Sequence, residues 1–344
     1  MTDRVRRAKP TLVFPLLALL LLGSLVLGVV VGPVPIPLGE TAQIIWAQIG
    51  FSASDAINAA HQIIIGQVRL PRALTGALVG LVLGISGAVM QGIFRNPLAD
   101  PYLLGIASGA SAGAAFIIAL HLESGPFNLP LGSFIGGAIA VLTVYRLGLR
   151  AGRSSLFSLI LAGIALGTLF SAVTSFLITI SGEELREIVF WIMGGLGRAN
   201  WAYLRLLTAI GLAGAALIFV FSRDLNAMAL GEIGARHLGI DPERLQQFLL
   251  LIVTLMTGAA VAVSGTIGFV GLITPHALRL IVGPDHRLLL PASALAGASF
   301  LVLSDTLART VLQPVELPVG IITAFVGVPF FLYLLMRTRS EGTV

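Results

Sequence analysis

Apolar runs long enough to cross a lipid bilayer recur from one end of this chain to the other. They fall near 11–32, 63–93, 103–120, 131–149, 156–180, 201–221, 247–266, 267–282, 289–311 and 318–336. About 18 or more apolar residues span the roughly 30 Å of hydrocarbon as a helix. Lipid offers no partner to a backbone amide, so a spanning segment must be a helix or a strand of a closed barrel. Barrel strands would alternate apolar with polar residues, and these runs do not. Of the 344 residues, 56% are hydrophobic and 11% charged, so most of the surface cannot face water. The sequence predicts an all-α polytopic membrane protein of about ten transmembrane helices. It reads as one transmembrane domain over residues 1–344, without a stretch long enough for a separate soluble domain.

Charge sets the expected orientation. Arg4, Arg6, Arg7 and Lys9 precede an apolar run longer than a signal-peptide core, and no A-x-A cleavage site closes it. It reads as a retained first span. With the N-terminus inside, that cluster joins Arg95, Arg146, Arg150, Arg153, Arg223, Arg236, Arg244, Arg287, Arg337 and Arg339 on the inner side. Arg69, Arg72, Arg186, Arg198, Arg205 and Arg309 fall outside. The bias predicts cytoplasmic N- and C-termini. Basic residues sit at helix ends, as topology requires, so the pI of 10.4 does not point to nucleic acid.

Several chemistries are excluded or unsupported. Cysteine is absent, which removes disulfides and thiolate metal sites. The sole lysine is Lys9, so no G-x-x-x-x-G-K-[ST] phosphate loop can form and this chain cannot hydrolyse ATP by a Walker motif. The five histidines form no H-E-x-x-H pair, and no catalytic constellation is visible. Asp305 stands out within a span, with Arg309 four residues on along the same helix face. That spacing reads as a structural pair rather than a proton relay.

Two patterns bear on architecture. Gly76, Gly80, Gly84 and Gly87 recur at helical spacing, the signature of an interhelical seam in lipid. Ser86-Gly87 precedes Pro97 by the same interval at which Ser264-Gly265 precedes Pro275, on opposite sides of the expected membrane. Such opposed copies suggest inverted repeats. On the inner side, residues 222–247 carry helix formers, both signs of charge and a break at Gly239. Asp241-Pro242-Glu243 then opens the next helix, with proline in its first turn. This loop reads either as a cap on the bundle or as a docking surface for a cytosolic partner.

Long motifs in order along the chain carry a resemblance. They are Arg69-Leu70-Pro71-Arg72, SGAVMQGIFRNPLADPYLLG (86–105), WIMGGLG (191–197) and ALGEIGARHLG (229–239). VSGTIGFVGLITPHALRLIVGPDHRLLLP (263–291), DTLART (305–310) and ELPVGIITAFVGVPFF (316–331) complete the set. Together they resemble the FecCD family of permeases of ABC importers for vitamin B12, haem and ferric siderophores. The resemblance implies a type II importer permease fold acting as a homodimer in a prokaryotic inner membrane. Two cytosolic ATPase subunits, which hold the ATP and magnesium, and an extracytoplasmic substrate-binding protein would complete the assembly. This chain itself would need no cofactor, metal or catalytic residue.

The resemblance also implies roles for single residues. Arg69, Arg72 and Arg309 match the outward-facing arginines that receive acidic residues of the binding protein. Asn96 and Leu98 match the inner closure of the pathway. Ser154 and Ser155 begin the fifth span, which lines the pathway with the tenth. Leu230, Gly231, Ala235, Leu238 and Gly239 match the loop that fits a groove in the ATPase. For the substrate, the resemblance implies a bulky iron chelate, siderophore or haem. A corrinoid is the alternative, and oxyanion import by a relative a smaller one. An ion-driven secondary carrier and an intramembrane enzyme are the competing classes.

Overall fold

The computed structural model describes residues 9–48, 57–150 and 156–341, which contain helices and no strand. Helix α1 (Pro10–Val30) is followed by the shorter α2 (Leu38–Gln48) and α3 (Ala59–Ile63). One π-helical turn, Ile64–Arg69, joins α3 to α4 (Leu70–Ile93), giving a continuous apolar rod of 35 residues. Pro71 explains the wide turn. It lacks an N–H, and its ring crowds the carbonyl four residues before it, so the preceding turn loosens. Next come α5 (Ile106–Ala119), α6 (Asn128–Arg150), α7 (Leu156–Ile180), α8 (Leu185–Ile192) and α9 (Trp201–Val220). Two small helices, α10 (Ser222–Met228) and α11 (Glu232–His237), lead to α12 (Pro242–Ser264), α13 (Val270–Val282), α14 (His286–Ala308) and α15 (Val319–Glu341).

Among the described residues 7 helices are long and apolar enough to cross a membrane, and α5, α13 and α15 supply shorter apolar segments. Every apolar run read from the sequence is therefore a helix, with ends shifted by a few residues. Asp241 caps α12 as expected, accepting from the amides of Glu243 (3.2 Å) and Arg244 (3.3 Å), with Pro242 in the first turn. Gly239 breaks the preceding turn at φ 79°.

The centre of the bundle is α4 and α12, each with 78% of its apolar window buried, whereas α7 buries 17%. Packing follows a repeated scheme. Helix α4 packs on α13 and α14, as α12 packs on α5 and α6; the pairs α5–α7 and α6–α7 are matched by α13–α15 and α14–α15. The particular copies read from the sequence are not equivalent, however. Ser86-Gly87 lies inside α4, which continues to Ile93, while Ser264 ends α12 and Gly265 breaks it at φ 65°. Pro97 stands in the turn after α4, and Pro275 inside α13. Equal sequence spacing had placed different local structures in register.

The glycine seam is a backbone-to-backbone contact. A Cβ at Gly80 would meet the Gly297 carbonyl, at Gly84 that of Ser293, and at Gly87 that of Gly271. Lipid gives helices no hydrophobic reason to associate, so this close approach is what joins α4 to α13 and α14. Replacing Gly87 by Val is expected to destabilise the protein by about 1–3 kcal/mol or more, because the obstacle is main chain rather than a movable side chain. Gly23 of α1 faces open space and is the control. Thermal unfolding in detergent should show a clear loss for Gly87→Val and little change for Gly23→Val.

Candidate functional site

Two of the ten apolar helices are too short to cross a bilayer. At about 1.5 Å per residue, α5 is roughly 21 Å long and α13 roughly 20 Å. Each starts from irregular backbone, Arg95–Gly105 before α5 and Gly265–Phe269 before α13. Such backbone survives at membrane depth only if the protein satisfies its polar groups. Tyr102 does this across the two breaks: its hydroxyl donates to the Ile267 carbonyl (3.1 Å) and lies 3.3 Å from the Ile267 amide. The Thr266 hydroxyl donates to the Ile192 carbonyl. Asp100 caps the short turn carrying Tyr102, accepting from its amide at 2.7 Å.

The second break also joins two other motifs. The Gly195 amide donates to the Ser264 carbonyl (2.8 Å), and the Val319 amide to the Gly194 carbonyl (2.9 Å). Gly194, at φ 74°, and Gly265 permit the approach; a Cβ on either would strike the carbonyl of Thr266 or Trp191. WIMGGLG, VSGTIG and ELPVG, far apart in sequence, thus converge. They line a cleft of ≈ 260 Å³ walled by Trp191, Leu196 and Leu317, with Arg72, Glu187, Arg198 and Glu316 also on its lining. That is smaller than the roughly 300–1,000 Å³ of pockets that enclose drug-sized ligands.

Beside the cleft lies a buried charge cluster at the end of the bundle that holds the α1 C-terminus. Arg72 grips Asp305 through Nε (3.0 Å) and Nη2 (2.9 Å), and reaches Glu316 through Nη1 (2.9 Å). Arg309 stands 3.4 Å from the same Asp305 and donates to the Gly28 carbonyl. Arg69 donates to the carbonyls of Val30 (2.9 Å) and Val34 (2.5 Å). Three guanidinium groups thus face two carboxylates, and the last-turn carbonyls of α1 take up part of the excess positive charge. The expected Asp305–Arg309 pair is present, but Arg72 makes the tighter grip. The arginines are not free surface charges as the sequence reading expected. Arg69, Arg72 and Arg309 are only 3%, 7% and 3% exposed, because long-range partners in α1, α14 and the α14–α15 turn enclose them. What faces out there is Glu316, whose side chain is 42% exposed.

At the opposite end, α4 stops with Arg95 in the left-handed region (φ 48°), and the Asn96 amide closes the turn on the Gln91 carbonyl at 3.2 Å. The Asn96 side chain accepts from the Leu98 amide at 2.9 Å. Asn96 and Leu98 are both exposed. Ser154 and Ser155 lie outside the described residues. The α10–α11 turn divides its motif by role. Leu230 and Leu238 project into solvent together with Ile233, which is 76% exposed, while Ala235 is buried and Gly231 (φ 92°) and Gly239 supply positive φ. Sequence reasoning missed Ile233, Tyr102 and the half-buried Arg279, whose Nη1 donates to Gln91 Oε1 (2.7 Å). Where the sequence reading found no G-x-S-x-G nucleophile elbow, the chain does carry one such string, Gly109-Ala110-Ser111-Ala112-Gly113, but it lies inside α5, with Gly109 and Gly113 against the backbone of α6, so it is a packing seam and not a nucleophile turn.

A bundle of apolar helices with two matched shortened members, a buried charge cluster at one end and an exposed apolar turn at the other has the features of a membrane transport subunit. The sequence matches the FecCD transport family over residues 19–337, and the chain belongs to that family. It is 47% identical over 278 residues to the cobalamin import system permease of Halobacterium salinarum, covering 80% of this chain and 73% of that one. It is 44% identical over 284 residues to the hemin transport system permease of Yersinia pestis, covering 80% and 83%. An uncharacterized ABC transporter permease of Bacillus subtilis is 42% identical, covering 93% and 92%. A solved structure described as an inward-facing conformation of a metal-chelate type ABC transporter superposes with TM-score 0.83 at 34% identity, covering 96% of this chain and 100% of that one.

One outcome follows. Removing one member of the Arg72–Asp305 pair leaves the other with only its lesser partner, Arg309 for Asp305 or Glu316 for Arg72, so Arg72→Met or Asp305→Leu alone is expected to cost up to about 3–5 kcal/mol. The double variant should cost clearly less than the sum, and a thermal double-mutant cycle measures the difference.

Proposed function

We propose that this protein is the permease subunit of a binding-protein-dependent ABC importer that moves a bulky metal chelate inward. The supporting observation is the family match over nearly the whole chain, joined to relatives named as permeases of cobalamin and hemin import. We propose a homodimer in a prokaryotic inner membrane, ten spans with cytoplasmic termini, two cytosolic ATPase subunits and an extracytoplasmic binding protein. The helix pairing that recurs five apolar helices later supports inverted repeats of α4–α7 and α12–α15, since an odd offset reverses direction across the membrane.

The small cleft in one copy supports a pathway formed between two copies. Helix α7 suits its wall: Thr168, Thr174, Ser175 and Thr179 return their hydroxyl bonds to carbonyls four residues back, leaving few free groups to hold a solute. Asn96 and Leu98 would contribute the inner closure, and Ser154 and Ser155 the start of the lining helix. Leu230, Leu238 and Ile233 would insert into the ATPase while Gly231, Ala235 and Gly239 shape the turn. ATP binding then drives the permease by favouring one of its conformations over another. For docking, Arg69, Arg72 and Arg309 would exchange an internal carboxylate or carbonyl for acidic residues of the binding protein. Iron chelates remain the first reading of the substrate; the cobalamin permease at 47% identity favours a corrinoid as the second.

Reconstitution with the cognate ATPase and binding protein in liposomes tests the assignment. ATP-dependent uptake of a siderophore, haem or corrinoid is expected, with the ranking of the three deciding the substrate. Accumulation by the chain alone, collapsed by an ionophore, would instead establish a secondary carrier. Leu238→Asp should leave the bundle folded, because the side chain is exposed, yet abolish co-purification of the ATPase. Charge reversal at Arg72 should slow binding-protein association in a salt-sensitive way, compared at matched folded fraction.

A further inference from the structure

Helices α6 and α12 pack on each other, yet leave between them an apolar groove of ≈ 490 Å³ floored by the buried Leu104 and, from α7, Leu159. From Arg244 to Leu255 along α12 the groove runs about 17 Å at 1.5 Å per residue, close to half of the roughly 30 Å hydrocarbon thickness. Its walls are apolar, with Phe248 among aliphatic residues, and Leu251 and Leu255 are 53% and 42% exposed, so the slot opens sideways from the bundle. Tyr145, Arg244 and Gln247 gather at one end, while Thr254 near the other returns its hydroxyl to the Leu250 carbonyl (2.7 Å).

That end carries an arginine on each helix, with Asp241 and Glu243 beside the one on α12. Arg244 spends its Nε on Asp241 (3.1 Å) with the side chain 87% exposed, which leaves its terminal nitrogens to the outside. Arg146, one residue beyond Tyr145 on α6, is exposed and has no ion pair among the described residues. We propose that the groove is a binding site for one anionic phospholipid. An acyl chain fills the slot to mid-bilayer, and Arg244 and Arg146 hold the headgroup phosphate. The positive rim attracts anionic over zwitterionic lipid. It also argues against a second copy of the chain as occupant, because a two-fold contact there would bring each arginine towards its own symmetry mate.

The test uses the purified full-length chain and native mass spectrometry with phosphatidylglycerol and phosphatidylcholine. Wild type should retain phosphatidylglycerol preferentially, and Arg244→Gln or Arg146→Gln should each lower that preference about fivefold, the effect of about one unit of surface charge. Arg244→Lys should keep most of it, and Arg223→Gln, exposed on α10 outside the groove, should keep all of it. Ala138→Trp, which fills the slot, should reduce retention of both lipids. A phosphatidylglycerol with a photoreactive tail should label peptides spanning 138–145 and 248–255 in wild type, which needs no variant to fold. Equal retention of the two lipids, labelling confined to other helices, or chain-to-chain cross-links through this groove would each overturn the proposal.

Discussion

Backbone touching backbone along α4 is the contact on which the rest of the structure depends. In water, burying apolar side chains would hold such a helix in place; in lipid the surroundings are as apolar as the interface. What remains is dispersion and dipolar contact at short range, and only glycine lets two main chains approach so closely. Gly80, Gly84 and Gly87 bring α4 against Gly297, Ser293 and Gly271, and the same device at Gly109 and Gly113 joins α5 to α6. Because α4 and α12 are enclosed while α7 is open, the bundle has a fixed centre and an unfilled flank. A rigid centre with an open flank is what a subunit needs if it moves as a body against a partner.

The charge cluster is placed where that centre would otherwise come apart. Arg72 of α4, Asp305 of α14 and Glu316 of the following turn lie on separate elements, and Arg69 and Arg309 pull the end of α1 onto them. Three cations against two carboxylates would be poorly tolerated in isolation at this burial. The unpaired carbonyls at the C-terminus of α1 supply negative potential at little further cost, since those groups need donors in any case. The arrangement fastens the helices and also leaves a positive excess close to the surface, two properties usually argued as alternatives for arginines at a membrane face.

Much of this was legible in the sequence, and the reasons are specific. The helices were readable because lipid forbids anything else over long apolar runs, and α12 was readable to its first turn because Asp241-Pro242-Glu243 encodes a cap locally. The glycine seam on α4 was visible as periodicity, but its partners in α13 and α14 were not. Tyr102 gave no signal: its meaning comes from a carbonyl 165 residues away. The burial of Arg69 and Arg72 was hidden for the same reason, since an arginine near a helix end reads as exposed until Asp305 and Glu316 are brought over it. The matched spacing of Ser86-Gly87 and Ser264-Gly265 shows the opposite failure, in which a short string recurs while the local structure differs.

The segment Gly265–Phe269 is where the parts meet. It takes the Tyr102 hydroxyl from the segment that follows the Asn96 turn, places Thr266 on the end of α8, and sits beside the point where Gly194 receives the amide of α15. Helix geometry cannot be shared across such a point, because each of these bonds replaces an intrahelical one. Moving the Asn96 side of the bundle relative to α15 must therefore either carry this segment along or break bonds that lipid cannot replace. The first course costs less. On the proposed coupling at the α10–α11 turn, a displacement there would pass along α12 to the cleft and to α15 as a rigid shift rather than dissipate in a flexible loop.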